Sequence, residues 1–258
     1  MRKIILCALL ALTGLHAAPK EGLLLGLDWN LSAGSGESIA TDTIIVGNAG
    51  FYPPLYTSYF ASSSLSSALK LSLGFQRYSQ RNPALGFNIK AKLGVGLTHM
   101  VNKMTKEVIP TGDVLPSAGE SVATSYLPLT LGIEGNFLYD FLERGAHTLG
   151  LNVGLGVELM HAMGAQHRFT HANGTLAEYV GVFDASGLNH VLISPKVGLH
   201  YYYGRHQFGL DVSFDKTLDK NFISMRKNFP NSLAQTQQTL ALDLGGLWSV
   251  GLGYAYRF

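Results

Sequence analysis

Cysteine is almost missing from this 258-residue chain: Cys7 stands alone. It sits in MRKIILCALLALTGLHAA, where Arg2 and Lys3 precede an apolar stretch from Ile4 to Leu15 and small residues follow at Ala17 and Ala18. That is the pattern of a secretory signal peptide over residues 1–17, cut after Ala17. Cleavage removes Cys7, so the mature chain, 18–258, is exported with no disulfide to staple it. Long hydrophobic runs are missing too. No later stretch approaches the roughly 18 continuous apolar residues that a membrane helix needs. Charge is scarce, at 14% of residues, and without Arg2 and Lys3 the cations and anions balance at 17 each. A neutral chain lacks the basic surplus of a nucleic-acid binder. Yet 47% of the residues are hydrophobic, which is apolar for a soluble exported protein. The apolar residues must therefore be distributed in some other way.

They alternate. In LLLGLDWNL, Leu23, Leu25, Leu27, Trp29 and Leu31 fall on one face and Asp28 and Asn30 on the other. The same holds for Leu69–Phe75 against Lys70 and Ser72, and for Leu85–Leu97 against Asn88, Lys90 and Lys92. It recurs in Leu127–Phe137 against Glu134 and Asn136, in Leu149–Leu159 against Asn152 and Glu158, and in Ile193–Tyr203 against Lys196 and His200. Phe208–Phe214 against Asp211 and Leu240–Phe258 against Asp243, Ser249 and Arg257 complete a set of eight. A soluble sandwich also alternates. Here, however, the apolar faces carry almost no charge over eight long strands, while Lys, Asp and Glu stand in mid-strand on the other face. A transmembrane antiparallel up-and-down β-barrel has that inverted design, apolar toward lipid and polar toward the lumen. Closure also pairs the backbone, as lipid demands.

The connections alternate in length. Long segments at 33–64, 99–122, 162–190 and 216–238 are separated by short ones at 80–83, 140–147 and 204–206. Outer-membrane barrels have long extracellular loops and short periplasmic turns. The expectation is an all-β barrel of eight strands with four long extracellular loops and both termini in the periplasm of a Gram-negative bacterium. Ten strands is the alternative, if 42–60 or 176–184 forms a further hairpin. Phe75, Phe87, Phe137, Tyr139, Tyr201, Tyr203, Phe208, Tyr254, Tyr256 and Phe258 gather near the short turns as an interfacial girdle, with Trp29 and Phe214 at the other edge. Pro128 and Pro195 each delete a ladder donor and are expected near the outer mouth.

The chain ends VGLGYAYRF, with Tyr254, Tyr256 and Phe258 in alternate positions. The closing strand must pair with the first, and its ending resembles the signal read by the outer-membrane assembly machinery. As a whole the chain resembles the small bacterial outer-membrane β-barrel proteins. The GYAYRF ending and the signal peptide are similar to those of Helicobacter-type outer membrane proteins. No soluble peptidoglycan-binding domain is seen after the barrel.

The inward set comprises Asp28, Lys70, Lys90, Lys92, Glu134, Glu158, Lys196, His200, Asp211 and Asp243. An eight-stranded barrel is just wide enough for side chains to fill. This set therefore reads as a closed salt-bridged plug, with a narrow polar pore or a buried acid–base site as alternatives. His167 and His171, four apart in HRFTH, are metal-ligand candidates by spacing alone. Lys216, Lys220, Arg226 and Lys227 suit lipopolysaccharide phosphates. His99, Ser125 and His161 continue the lipid-facing register of neighbouring strands near the outer rim. Their layout resembles outer-membrane enzymes that deacylate lipid A, but no acid lies in register and the local motif of that family is absent. No cofactor is called for. Three functional classes follow: a structural or surface-interaction barrel, adhesin-like or lipopolysaccharide-contacting, with an unidentified extracellular ligand; a small porin; and an outer-leaflet lipid-modifying hydrolase.

Overall fold

The structure, a computed structural model, describes residues 20–46, 56–108, 114–116, 119, 121–170, 176–177, 182–184, 189–218, 221–228 and 234–258. The expected signal peptide and His171 lie outside these residues. Eight strands form the wall: β1 (Gly22–Val46), β2 (Tyr56–Tyr78), β3 (Leu85–Val108), β4 (Ser121–Arg144), β5 (His147–Thr170), β6 (Asn189–Tyr203), β7 (His206–Thr217) and β8 (Ala234–Arg257). Each pairs antiparallel with the next, and β8 pairs with β1 from Leu24↔Arg257 to Val46↔Ala234. The fold is a closed eight-stranded up-and-down β-barrel. The final strand is held on both sides, by β7 and by β1, and the Phe258 N–H donates to the Leu23 carbonyl at 3.0 Å.

The ten-stranded alternative does not hold. Residues 42–46 and 56–60 prolong β1 and β2, with Asp42 opposite Tyr56. Leu176–Ala177 only pairs with the end of β5, and Val182–Asp184 pairs with Asn221–Asn228, which lies against β8. Val114–Pro116 folds back on β3. The long connections are also shorter than the sequence implied, because much of each is strand. Clean apolar alternation marks wall that faces lipid; higher up the outward face turns polar and the inward one mixes apolar side chains with hydroxyls and amides, so the contrast fades although the strands continue. A strand needs about 9–11 residues to cross a bilayer. Six of the wall strands have 23 to 25, whereas β6 has 15 and β7 has 12.

At the opposite end the connections are tight. The β4–β5 turn is Gly145–Ala146 and the β6–β7 turn is Gly204–Arg205. Each opens on a glycine with φ near +60°, a conformation that other residues adopt at a cost. Outward residues such as Leu71, Ile89, Leu131, Ile133 and Leu155 are exposed around the ring, while their inward neighbours Lys70, Asn88, Lys92, Glu134 and Asn136 are buried. An exposed apolar belt around a polar interior is the inverse of a water-soluble barrel, and it is the surface that lipid covers. Trp29 and Trp248 are exposed at the upper edge of that belt, with Phe214 packed 5.2 Å from the Trp248 ring. Pro128 is buried and Pro195 exposed, and a register shift occurs in β4 between Ser125 and Leu127.

Candidate functional site: the filled lumen

The short-turn end is capped first. Tyr78, Leu138 and Tyr202 pack together on the axis, with Tyr202 only 2% exposed. The Tyr78 hydroxyl donates to Asp140 Oδ1 at 3.0 Å and lies 3.1 Å from the Tyr202 hydroxyl. Asp140 also meets His200 Nε2 at 2.6 Å and Lys20 Nζ at 2.7 Å. The Arg257 guanidinium lies 5.4 Å from the centre of the Tyr202 ring and donates to the Gly204 carbonyl. Tyr78, Asp140 and His200 come from three different strands and pair with one another, which offsets the cost of burying them; His200 Nδ1 and Arg257 Nη1 are buried with no hydrogen-bond partner among the described residues.

Above the cap, Asn136 donates to Asn88 Oδ1 at 2.7 Å and to Glu134 Oε1 at 2.8 Å. Glu134 then bridges two ammonium groups, Lys92 at 2.5 Å and Lys196 at 2.7 Å. Lys92 reaches Asp28 at 3.0 Å, and Lys196 reaches Asp211 at 3.2 Å. One ion chain, Asp28–Lys92–Glu134–Lys196–Asp211, thus crosses the bore and joins β1, β3, β4, β6 and β7. Lys70 of β2 and Glu158 of β5 pair separately at 2.6 Å. Lys90 makes no ion pair among the described residues. It lines a chamber of about 20 Å³ together with Asn136, Asn152, Gln207 and Asp211. Each of these four carries one buried oxygen that has no hydrogen-bond partner among the described residues. A cation and several acceptors therefore share a space with room for about one water. Gly198 leaves room for the Asp211 carboxylate, since a Cβ there would meet its Oδ1 at 2.0 Å.

Two further chambers lie higher. One of about 30 Å³ touches Lys70, Lys92, Glu134, Glu158 and Asp215. One of about 60 Å³ is lined in part by Tyr126, Pro128, Met160 and Leu192. Above the Lys70–Glu158 pair the inner face changes character. Phe60, Met100, Val122, Tyr126, Met160, Ala162 and Leu192 are all buried there. Ser62 donates to Asn102 Oδ1 at 2.6 Å beside them. This upper section, expected as loop, has an interior of apolar side chains mixed with buried Ser58, Ser62, Thr98, Asn102 and Thr124.

The sequence reading missed Asp140, Tyr78, Tyr202, Lys20 and Asp215. Parity would have found most of them: Asp140 shares the even register of Glu134 and Asn136, and Tyr202 that of Lys196 and His200. Tyr202 was hidden in a Tyr run that reads as interfacial girdle. Asp243 lies in β8 opposite Glu37 of β1; its side chain is outside the described part. His167 lies in β5 opposite Thr124, and its side chain is likewise outside it. No cluster of His, Cys, Asp and Glu among the described residues fits a metal ion.

The outward constellation is split. His99 and Ser125 are cross-strand neighbours, with Nδ1 2.9 Å from Oγ. His161 lies farther down the wall, opposite Leu129 where Ser125 is opposite Gln166, and its Nδ1 meets Asn189 Oδ1 at 2.6 Å. A hydroxyl nucleophile needs a base that a third group orients. Among the described residues no carboxylate pairs with His99, so the arrangement is a hydrogen-bonded couple and not a triad.

No protein-family model matches the chain, and no curated protein matches it. Among solved structures it is similar to the outer membrane protein OprG from Pseudomonas aeruginosa, at 14% identity and a TM-score of 0.39, over 93% of this chain and 98% of that one. It is similar to the outer membrane protease OmpT from Escherichia coli at 9% identity and a TM-score of 0.30, over 90% and 97%. The translocator domain of the autotransporter NalP from Neisseria meningitidis is similar at 10% identity and a TM-score of 0.24, over 100% and 95%.

Proposed function

We propose that the mature chain is an outer-membrane β-barrel whose lumen is closed to solutes and whose work is done at its long-connection end, outside the cell. The ion chain from Asp28 to Asp211 carries this reading. Five side chains from five strands meet across a bore that eight strands leave little wider than its own contents. The Tyr78–Tyr202 cap closes the same bore a second time. The short turns and both termini then face the periplasm. The GYAYRF ending, similar to that of Helicobacter-type proteins, serves the assembly machinery.

A closed tube acts through its surface. Lys103, Lys106, Arg168 and Lys216 are exposed on the long-connection side of the wall. They suit the phosphates of lipopolysaccharide, and six wall strands run well beyond the length that crosses a bilayer, which gives an adhesin-like or scaffolding role its surface. Planar-bilayer recording tests the closed lumen. We expect no stable conductance from the purified protein; steady conductance altered by Lys90→Glu would replace this reading with a small porin. The alternative of a lipid-modifying hydrolase draws on the 2.9 Å His99–Ser125 contact and lacks the orienting acid. Deleting Phe258 is expected to lower outer-membrane yield in cells more than refolding into detergent, and equal yields would remove the assembly role.

A further inference from the structure

The outer face at the short-turn end carries a row that neither the lumen nor the long connections explain. His147 on β5 lies opposite Tyr203 on β6, Tyr203 opposite His206 on β7, and His206 opposite Tyr256 on β8. One step up the wall the row is Leu149, Tyr201, Phe208 and Tyr254. The two rows are tied diagonally and in the same way twice. His147 Nδ1 lies 2.6 Å from the Tyr201 hydroxyl, and His206 Nδ1 lies 2.9 Å from the Tyr254 hydroxyl. Each imidazole also packs on a Tyr of its own row, at 4.9 Å to Tyr203 and 5.4 Å to Tyr256. With Nδ1 engaged, each ring has Nε2 left; among the described residues neither Nε2 has a partner.

Just below this row are two arginines. Arg144 precedes the β4–β5 turn and Arg205 lies in the β6–β7 turn; both are exposed and neither forms an ion pair among the described residues. The turns that carry them are joined. The Gly204 N–H donates to the Ala146 carbonyl at 3.1 Å, and the Arg257 N–H to the Arg205 carbonyl at 2.9 Å. The nearby acids are engaged elsewhere, Glu143 by Lys20 and Asp140 by Lys20 and His200. The patch therefore offers two guanidinium groups and two imidazoles on a rigid platform, directly beneath an apolar and aromatic wall. The other short turn provides a contrast. Arg77 and Arg81 are exposed at the β2–β3 end, beside Phe75, Leu85 and Phe87, with no His–Tyr row.

We propose that the β5–β8 rim is a binding site for an anionic diacyl phospholipid of the leaflet at the short-turn end. The guanidinium groups of Arg144 and Arg205 pair with the phosphodiester oxygens, His147 or His206 adds an Nε2–H donor, and the acyl chains lie along Leu149, Tyr201 and Phe208. A zwitterionic lipid would bring its own ammonium group against two arginines, so the site selects net negative charge. The inference rests on the reading of the barrel as membrane-spanning.

The test uses the mature chain refolded into nanodiscs of phosphatidylcholine doped with phosphatidylglycerol, followed by native mass spectrometry of the released protein with its retained lipids. We expect phosphatidylglycerol to be retained over phosphatidylcholine, with the preference falling about tenfold in the Arg144→Gln/Arg205→Gln pair. The Arg77→Gln/Arg81→Gln pair is expected to keep it. Equal retention of both lipids by the unaltered chain, or an equal loss in both arginine pairs, overturns the site. Displacement of the lipid by inorganic phosphate alone overturns the lipid assignment. A chain that fails to enter the disc at all overturns the membrane reading beneath it, a result distinct from insertion without preference.

Discussion

Between Tyr78 and Lys70 the bore is held by carboxylates, amides and ammonium groups, whereas from Lys70 to Met100 it is held by Met, Tyr, Leu and hydroxyls. The outer wall changes in the opposite sense over the same distance. Around the ion chain it presents Leu, Ile and Val; higher up it presents Ala61, Ser63, Lys103, Thr105, Lys106, Gln166 and Arg168. Each level thus sets its apolar and polar sides by what lies outside. Where lipid covers the wall, the apolar environment is external and the interior must hold the polar groups, paired with one another. Where water covers the wall, the barrel needs an apolar interior like any soluble domain. The same strands pass from an inverted barrel to an ordinary one, with register shifts in β1 between Ser35 and Glu37 and in β4 between Ser125 and Leu127.

The comparison breaks most readily at Glu134. Glu134→Gln leaves Lys92 and Lys196 without their shared carboxylate, and we expect a loss of about 3–5 kcal/mol, read as a lower temperature for the heat-modified gel shift. A loss under about 1 kcal/mol would mean that water already screens the layer and that the lower bore is not dry. In the upper section, Met100→Ala should cost about 2–4 kcal/mol by urea unfolding in detergent, while Lys103→Ala on the outside of the same strand should stay within about 0.5 kcal/mol. Equal effects at these two positions would contradict an apolar core above the membrane. Tyr202→Phe removes one hydroxyl from the cap and is expected to cost about 1 kcal/mol in the same assay. The smallest effect is expected at Ser125→Ala, which should leave the acyl chains of lipopolysaccharide unchanged by mass spectrometry. Extra acyl chains retained only in that variant would revive the hydrolase.

Parity was legible in the sequence where strand boundaries were not. Lys70, Lys92, Glu134 and Lys196 are marked by standing alone in apolar alternation, and the structure brings them into contact with carboxylates from distant strands. Tyr78 and Tyr202 carry only the mark of parity, and their residue type masks it, because aromatic residues near a turn usually form the girdle. The upper strand segments were read as loops because alternation reports contrast between two faces, and Ser-rich wall such as 61–67 offers little contrast.

Closure, the tight turns and the apolar belt follow from local chemistry: period-two alternation needs a lipid or a core to face, and Gly145 and Gly204 permit the turns. Which charge meets which was beyond the reach of the sequence. Asp28, Lys92, Glu134, Lys196 and Asp211 are separated by as many as 183 positions and come together only through the stagger of the ring. The same holds for the His147–Tyr203–His206–Tyr256 row. Its members are unremarkable as single residues, and they become a surface because register, a property of paired strands, sets them side by side.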